Sequence, residues 1–98
     1  MLVFILLLLL DRGPMNLIEL TFTGSDREHA QGAIERHDLS HREIEPRIWL
    51  IDVSEGTPDE WAKRLTAALP ANAGKFTGRT ATAAQVERVR RGEIVLQR

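Results

Sequence analysis

The chain has no cysteine. Disulfide frameworks, cysteine-based zinc sites, thiol nucleophiles and iron–sulfur clusters are therefore excluded, and nothing points to an oxidising compartment. It also lacks an apolar run of the ~20 residues needed to cross a bilayer; residues 1–10 are nearly all aliphatic but reach only about half that length. A broadly basic coat is missing too, because 13 Lys/Arg stand against 14 Asp/Glu for a formal net charge of -1. There are no internal repeats, and no low-complexity linker beyond the small residues of 71–74. At 98 residues the chain suits one small domain, 15–98, with a single modest core.

Residues 1–14 have neither a basic segment ahead of the leucines nor a small-residue cleavage site behind them, since Asp11-Arg12-Gly13-Pro14 follows directly. They are read as a hydrophobic leader or a mis-assigned start ahead of Met15. The other readings are an extra hydrophobic strand or a short interfacial anchor. A cytoplasmic protein with no membrane partner is expected.

What is present is organised around 46–69. Ile48-Trp49-Leu50-Ile51 is too short for a helix and rich in branched and aromatic side chains, which predicts a central strand. Thr57-Pro58-Asp59-Glu60 then supplies an N-cap, a proline at the first helical position and a capping box. Trp61, Leu65, Ala68 and Leu69 follow as one helical stripe. Upstream, Ile18, Leu20 and Phe22 alternate with Glu19, Thr21 and Thr23, the period of a half-buried strand. Ser25-Asp26-Arg27-Glu28 reads as a second capping box, opening a short helix. Residues 40–45 suit an edge strand or irregular arm. Downstream, 75–79 reads as a short strand or loop with Phe76 as its one apolar anchor. Thr82 to Gln85 is a third capping box, with Val86 and Val89 inside the helix it opens; Gly92 caps that helix and 93–97 forms a last strand. The order predicts an α+β fold, a ferredoxin-like sandwich with a mainly antiparallel sheet, helices on one face, and an extra C-terminal helix and strand.

Charge is distributed unevenly. Residues 16–61 hold eleven Asp/Glu against four Lys/Arg, a net of -7, and residues 62–98 hold eight Lys/Arg against two Asp/Glu, a net of +6. Either the halves complement one another, or the C-terminal third builds a basic face. On the second reading Lys75, Arg79, Arg88, Arg90 and Arg91 form the binding site, and the partner is RNA or DNA, or an acidic protein.

Other constellations carry less. His29, His37 and His41 have poor spacing for a shared metal, so no metal site and no cofactor are expected. Gly74-Lys75-Phe76-Thr77-Gly78-Arg79 has three residues between its glycines where a phosphate loop needs four, and arginine where it needs lysine. Trp49 and Trp61 sit in apolar patterns and read as core anchors rather than base-stacking platforms.

The Trp49-Leu50-Ile51 strand leading through a short turn into the Thr57-Pro58-Asp59-Glu60 helix start resembles the second half of the small CRISPR-associated ferredoxin-fold endoribonucleases and their SinR-like and VapD-like relatives. That resemblance covers about a third of the chain. It implies a homodimer assembled through its sheets with an RNA- or DNA-directed role. The family's nucleases carry a metal-holding aspartate at the end of the first strand, where this chain has Thr21, Phe22 and Thr23. A non-catalytic, antitoxin-like or regulatory binding module is therefore expected, with no catalytic residue. The alternative is a metal-dependent endoribonuclease using Asp26 or Asp52.

Overall fold

A computed structural model describes residues 15–98; the readings made for 1–14 lie outside the described residues. Four strands and three helices follow in the order β1 (Leu17–Gly24), α1 (Arg27–Glu35), β2 (Ser40–Glu45), β3 (Ile48–Asp52), α2 (Pro58–Ala67), β4 (Gly74–Thr80) and α3 (Ala83–Arg90). The strands form one antiparallel sheet in the order β2-β3-β1-β4. The result is an α+β domain compatible with a small ferredoxin-like fold. No helix among the described residues is long and apolar enough to cross a membrane.

Strand alternation creates two faces. Ile18, Leu20 and Phe22 of β1, Trp49 and Ile51 of β3 and Phe76 of β4 pack with Ala30, Ala33 and Ile34 of α1 and with Trp61, Ala62 and Leu65 of α2. Trp49 is 0 % exposed, and its indole Nε1–H donates to Gln31 Oε1 at 2.8 Å, so its polar atom is satisfied. Both tryptophans are core residues as expected. Gln31 also lies against His41, whose Nδ1–H donates to the Leu39 carbonyl at 2.7 Å.

The opposite face carries Leu17, Glu19, Thr21, Thr23, Ile48, Leu50, Lys75, Thr77 and Arg79. There Leu17 and Leu50 bury against Ala81 and Ile94, with Val86, Val89, Ile44 and Leu96 packed around them. Here the expectation of helices on one face is corrected. α1 and α2 share one face, whereas α3 lies on the other, because Val86 and Val89 give it an apolar stripe and Leu17 and Leu50 need cover.

The expected C-terminal strand is also corrected. Residues 93–97 contribute a single antiparallel bridge, His41 with Gln97, held by two backbone hydrogen bonds of 2.8 Å. The tail cannot lie flat along β2 because Ile94 turns into the second-face cluster. α1 starts one residue later than expected: Asp26, not Ser25, accepts from the His29 backbone N–H. Thr57 caps α2 as expected, accepting from the Glu60 N–H at 3.1 Å. Thr82 and Gln85 form the full reciprocal box at α3. Within the α2 stripe, Ala68 is exposed and Ala62 takes the buried position.

Candidate functional site

β4 sits at an edge of the sheet, paired only with β1 among the described strands. It is a strand because the β1 ladder fixes it, from Gly24 opposite Gly74 to Ile18 opposite Thr80. Its one apolar anchor, Phe76, is set 5.3 Å from Phe22 between ring centroids. Gly78 is required by close approach: a Cβ there would lie 2.5 Å from the Pro58 carbonyl at the start of α2. The intervening side chains Lys75, Thr77 and Arg79 project to the second face and are exposed.

One row across that face runs Glu45, Ile48, Thr21, Thr77, and the next runs Leu50, Glu19, Arg79. α3 covers the Leu17 and Leu50 end. Beyond it a groove of about 350 Å³ remains, lined by Glu19, Thr21, Ile48, Thr77, Gly78 and Arg79.

Glu19 is the charged group at its floor, only 6 % exposed. Its Oε1 accepts from Arg79 Nε at 2.8 Å and its Oε2 from Gln85 Nε2 at 2.6 Å. Burial pushes this carboxyl up, yet the hydrogen bonds from Arg79 and Gln85 and the charge of Arg79 outweigh burial and hold it below its ordinary 4.5. The alternation of β1 places Glu19 outward from the main core, and what buries it is α3. Arg79 is thereby anchored at one nitrogen while its side chain stays 67 % exposed.

The five cations expected to act together are divided by the fold. Lys75 and Arg79 lie on β4, four residues apart on one face, or roughly 13 Å. Arg88, Arg90 and Arg91 lie at the far end of α3, where the helix has crossed toward β2. There Arg88 shares a second groove, of about 260 Å³, with Arg42, Ile44, Glu93 and Val95. Arg88 meets Glu93 at 3.7 Å, and Arg91 meets Glu87 at 3.5 Å and Glu93 at 3.9 Å. These are exposed pairs at long range, each worth about 0.2–1 kcal/mol, so a stronger anion displaces them easily. Lys75 and Arg90 make no ion pair among the described residues.

Sequence reasoning missed Arg42, which the β2 register brings to the α3 end, and its guanidinium donates to the Val95 carbonyl at 3.5 Å. No spacing rule in the sequence links residues 42 and 88. Charge complementarity between the halves is real in part: Arg79 with Glu19 crosses them, while Arg88 and Arg91 pair within their own third.

The remaining candidates disperse. Asp26 binds the His29 ring and backbone, and these bonds hold its carboxyl low, the backbone bond most of all. Asp52 lies opposite Leu17, at the other end of β1 from Asp26, roughly 20 Å or more away. Burial raises its carboxyl. His37 packs edge-on against Trp61 at 5.3 Å, and His41 is buried on β2. Among the described residues no group of three or more His, Asp or Glu side chains is placed to hold a metal ion. Phe22, Trp49, Trp61 and Phe76 all belong to the α1/α2 core, so the second face offers no aromatic ring for base stacking among the described residues. No protein-family model, no curated protein and no solved structure matches the chain.

Proposed function

We propose that this chain is a small, non-catalytic binding module that engages an acidic protein partner through the cations of its C-terminal third. The observation that carries this reading is the placement of Lys75, Thr77 and Arg79 at alternate positions of one edge strand, on the face where a groove stays open. Cations four residues apart on one strand face, roughly 13 Å, match carboxylates spaced the same way on an extended chain. Arg88, Arg90 and Arg91, with Arg42 beside them, extend the same charge preference to the end of α3.

A nucleic-acid partner has less support. The arginines at the α3 end alternate with Glu87 and Glu93 instead of forming a continuous track, and aromatic stacking platforms are missing from the face that would meet bases. The strand order and the β-α-β-β-α-β element order favour a ferredoxin-like domain with one added helix.

Fluorescence anisotropy tests the reading. Purified protein is titrated with labelled polyglutamate and, separately, with labelled single-stranded RNA and DNA, from low to physiological salt. Polyglutamate is expected to bind with an affinity that falls as salt rises, and the nucleic acids at least tenfold more weakly. RNA or DNA binding more tightly than polyglutamate, with a steep salt slope, would overturn the choice of partner.

A further inference from the structure

We infer that the outer edge of β4 is a strand-addition site, taking an extended segment of the partner whose acidic side chains alternate along it. This rests on the acidic-partner reading and adds the backbone to it. The hydrogen-bond parity of the sheet fixes which groups face outward. Phe22 N–H donates to the Arg47 carbonyl on the β3 side, and Ala81 N–H donates to the Leu17 carbonyl at 3.1 Å. The odd-numbered residues of β1 and β4 therefore bond to each other, and Gly74, Phe76, Gly78 and Thr80 direct their amide and carbonyl groups away from the sheet.

One of these groups is already used: Phe76 N–H donates to the Thr66 hydroxyl of α2 at 2.8 Å. The N–H groups of Gly78 and Thr80, and the carbonyls of Phe76 and Gly78, have no hydrogen-bond partner among the described residues. A strand laid against Gly78 would satisfy them and continue the antiparallel or parallel ladder. Its side chains next to Arg79 and Thr77 would fall on the second face, within reach of Lys75 and Arg79. Carboxylates at those alternate positions are matched; lysines or arginines are opposed.

The same charges weigh against a second copy of β4 as the occupant. In any two-fold register that pairs Gly78 with Phe76, Gly78 or Thr80 of another copy, Arg79 stands opposite or diagonal to Lys75 or Arg79 of that copy. Like charges so placed destabilise a strand pair. The opposite edge is less suitable, because β2 carries a bulge between Glu43 and Glu45 and its outward groups at His41 are taken by Gln97.

The test uses the full chain and two labelled, end-blocked peptides alternating glutamate and valine, one of them N-methylated at every amide so that it carries the charge but neither of its edges can extend a ladder. Strand addition predicts that the unmodified peptide binds at least tenfold more tightly, and that the Gly78 and Thr80 amides become protected from hydrogen exchange. Lys75→Glu should weaken binding about tenfold. Thr80→Pro, which removes one of the outward N–H groups at a strand end where proline is tolerated, should narrow the difference between the two peptides several-fold while leaving the melting temperature close to wild type. Equal binding of both peptides would overturn strand addition and leave the electrostatic reading standing. Binding of neither would overturn both. Protection of Gly78 and Thr80 that rises with protein concentration alone would assign the edge to self-pairing and overturn the inference.

Discussion

Glu19 and Gln85, 66 residues apart in sequence, are joined by a 2.6 Å hydrogen bond from the Gln85 amide to a buried carboxylate. The other end of the same Gln85 side chain accepts from the Thr82 backbone N–H at 2.8 Å. One residue thus caps α3 and ties it to β1. Because Arg79 occupies the other oxygen of Glu19, the placement of α3 and the placement of the exposed Arg79 guanidinium depend on one group.

This arrangement makes stability depend on acid. The folded carboxyl of Glu19 is held below 4.5, so the stability it contributes is complete above that pH and is lost as the pH falls through the lower folded value. Thermal melts from pH 7 downward should show a drop below pH 4.5 that is reduced in Glu19→Gln. At pH 7, Glu19→Ala should cost about 2 kcal/mol, because the Arg79 and Gln85 donors lose a charged acceptor. An unchanged melting temperature in Glu19→Ala would contradict the role given to this group.

Gly78→Ala is expected to destabilise the domain by about 1–3 kcal/mol, since the new methyl meets the Pro58 carbonyl and Leu20 and forces α2 away from β4. Urea denaturation measures this directly. A neutral substitution would mean that α2 and β4 are less closely packed than described.

Much of this fold was legible from the sequence. The run through Trp49 and Ile51 lies in a central strand, and Thr57, Pro58, Thr82 and Gln85 mark the helix starts where local hydrogen bonding alone decides the outcome. β4 was harder to read, because Lys75, Thr77, Gly78 and Arg79 show no apolar alternation; its extended form comes from pairing with β1, a contact distant in sequence. Glu19 reads as a solvent-facing residue of a half-covered strand, and only the path of α3 shows otherwise. The grouping of five cations failed for the same reason: proximity in sequence between Arg79 and Arg88 does not survive a helix that crosses the sheet.

Asp52→Asn should give a small gain in melting temperature at pH 7. Burial raises this carboxyl above its ordinary 3.8, so ionising it works against folding, and the penalty grows as the pH rises from 3.8 through the higher folded value. The gain should disappear near pH 3, where the wild-type carboxyl is protonated. A loss of stability at pH 7 would show that the ionised carboxylate is favoured by its Asn16 hydrogen bond.

Replacing Arg88, Arg90 and Arg91 together by alanine should weaken polyglutamate binding several-fold. The melting temperature should fall by only a few degrees, because the ion pairs removed are exposed and long. A collapse of the fold would make these arginines structural and argue against a partner-facing role.

Amide chemical-shift mapping of the labelled protein during a polyglutamate titration decides whether Lys75, Thr77 and Arg79 face an acidic partner. Shifts are expected to concentrate on 75–80, with a second, smaller set on 88–91 and Arg42. Saturable binding with shifts elsewhere and none on β4, or no binding at low salt, would contradict that role.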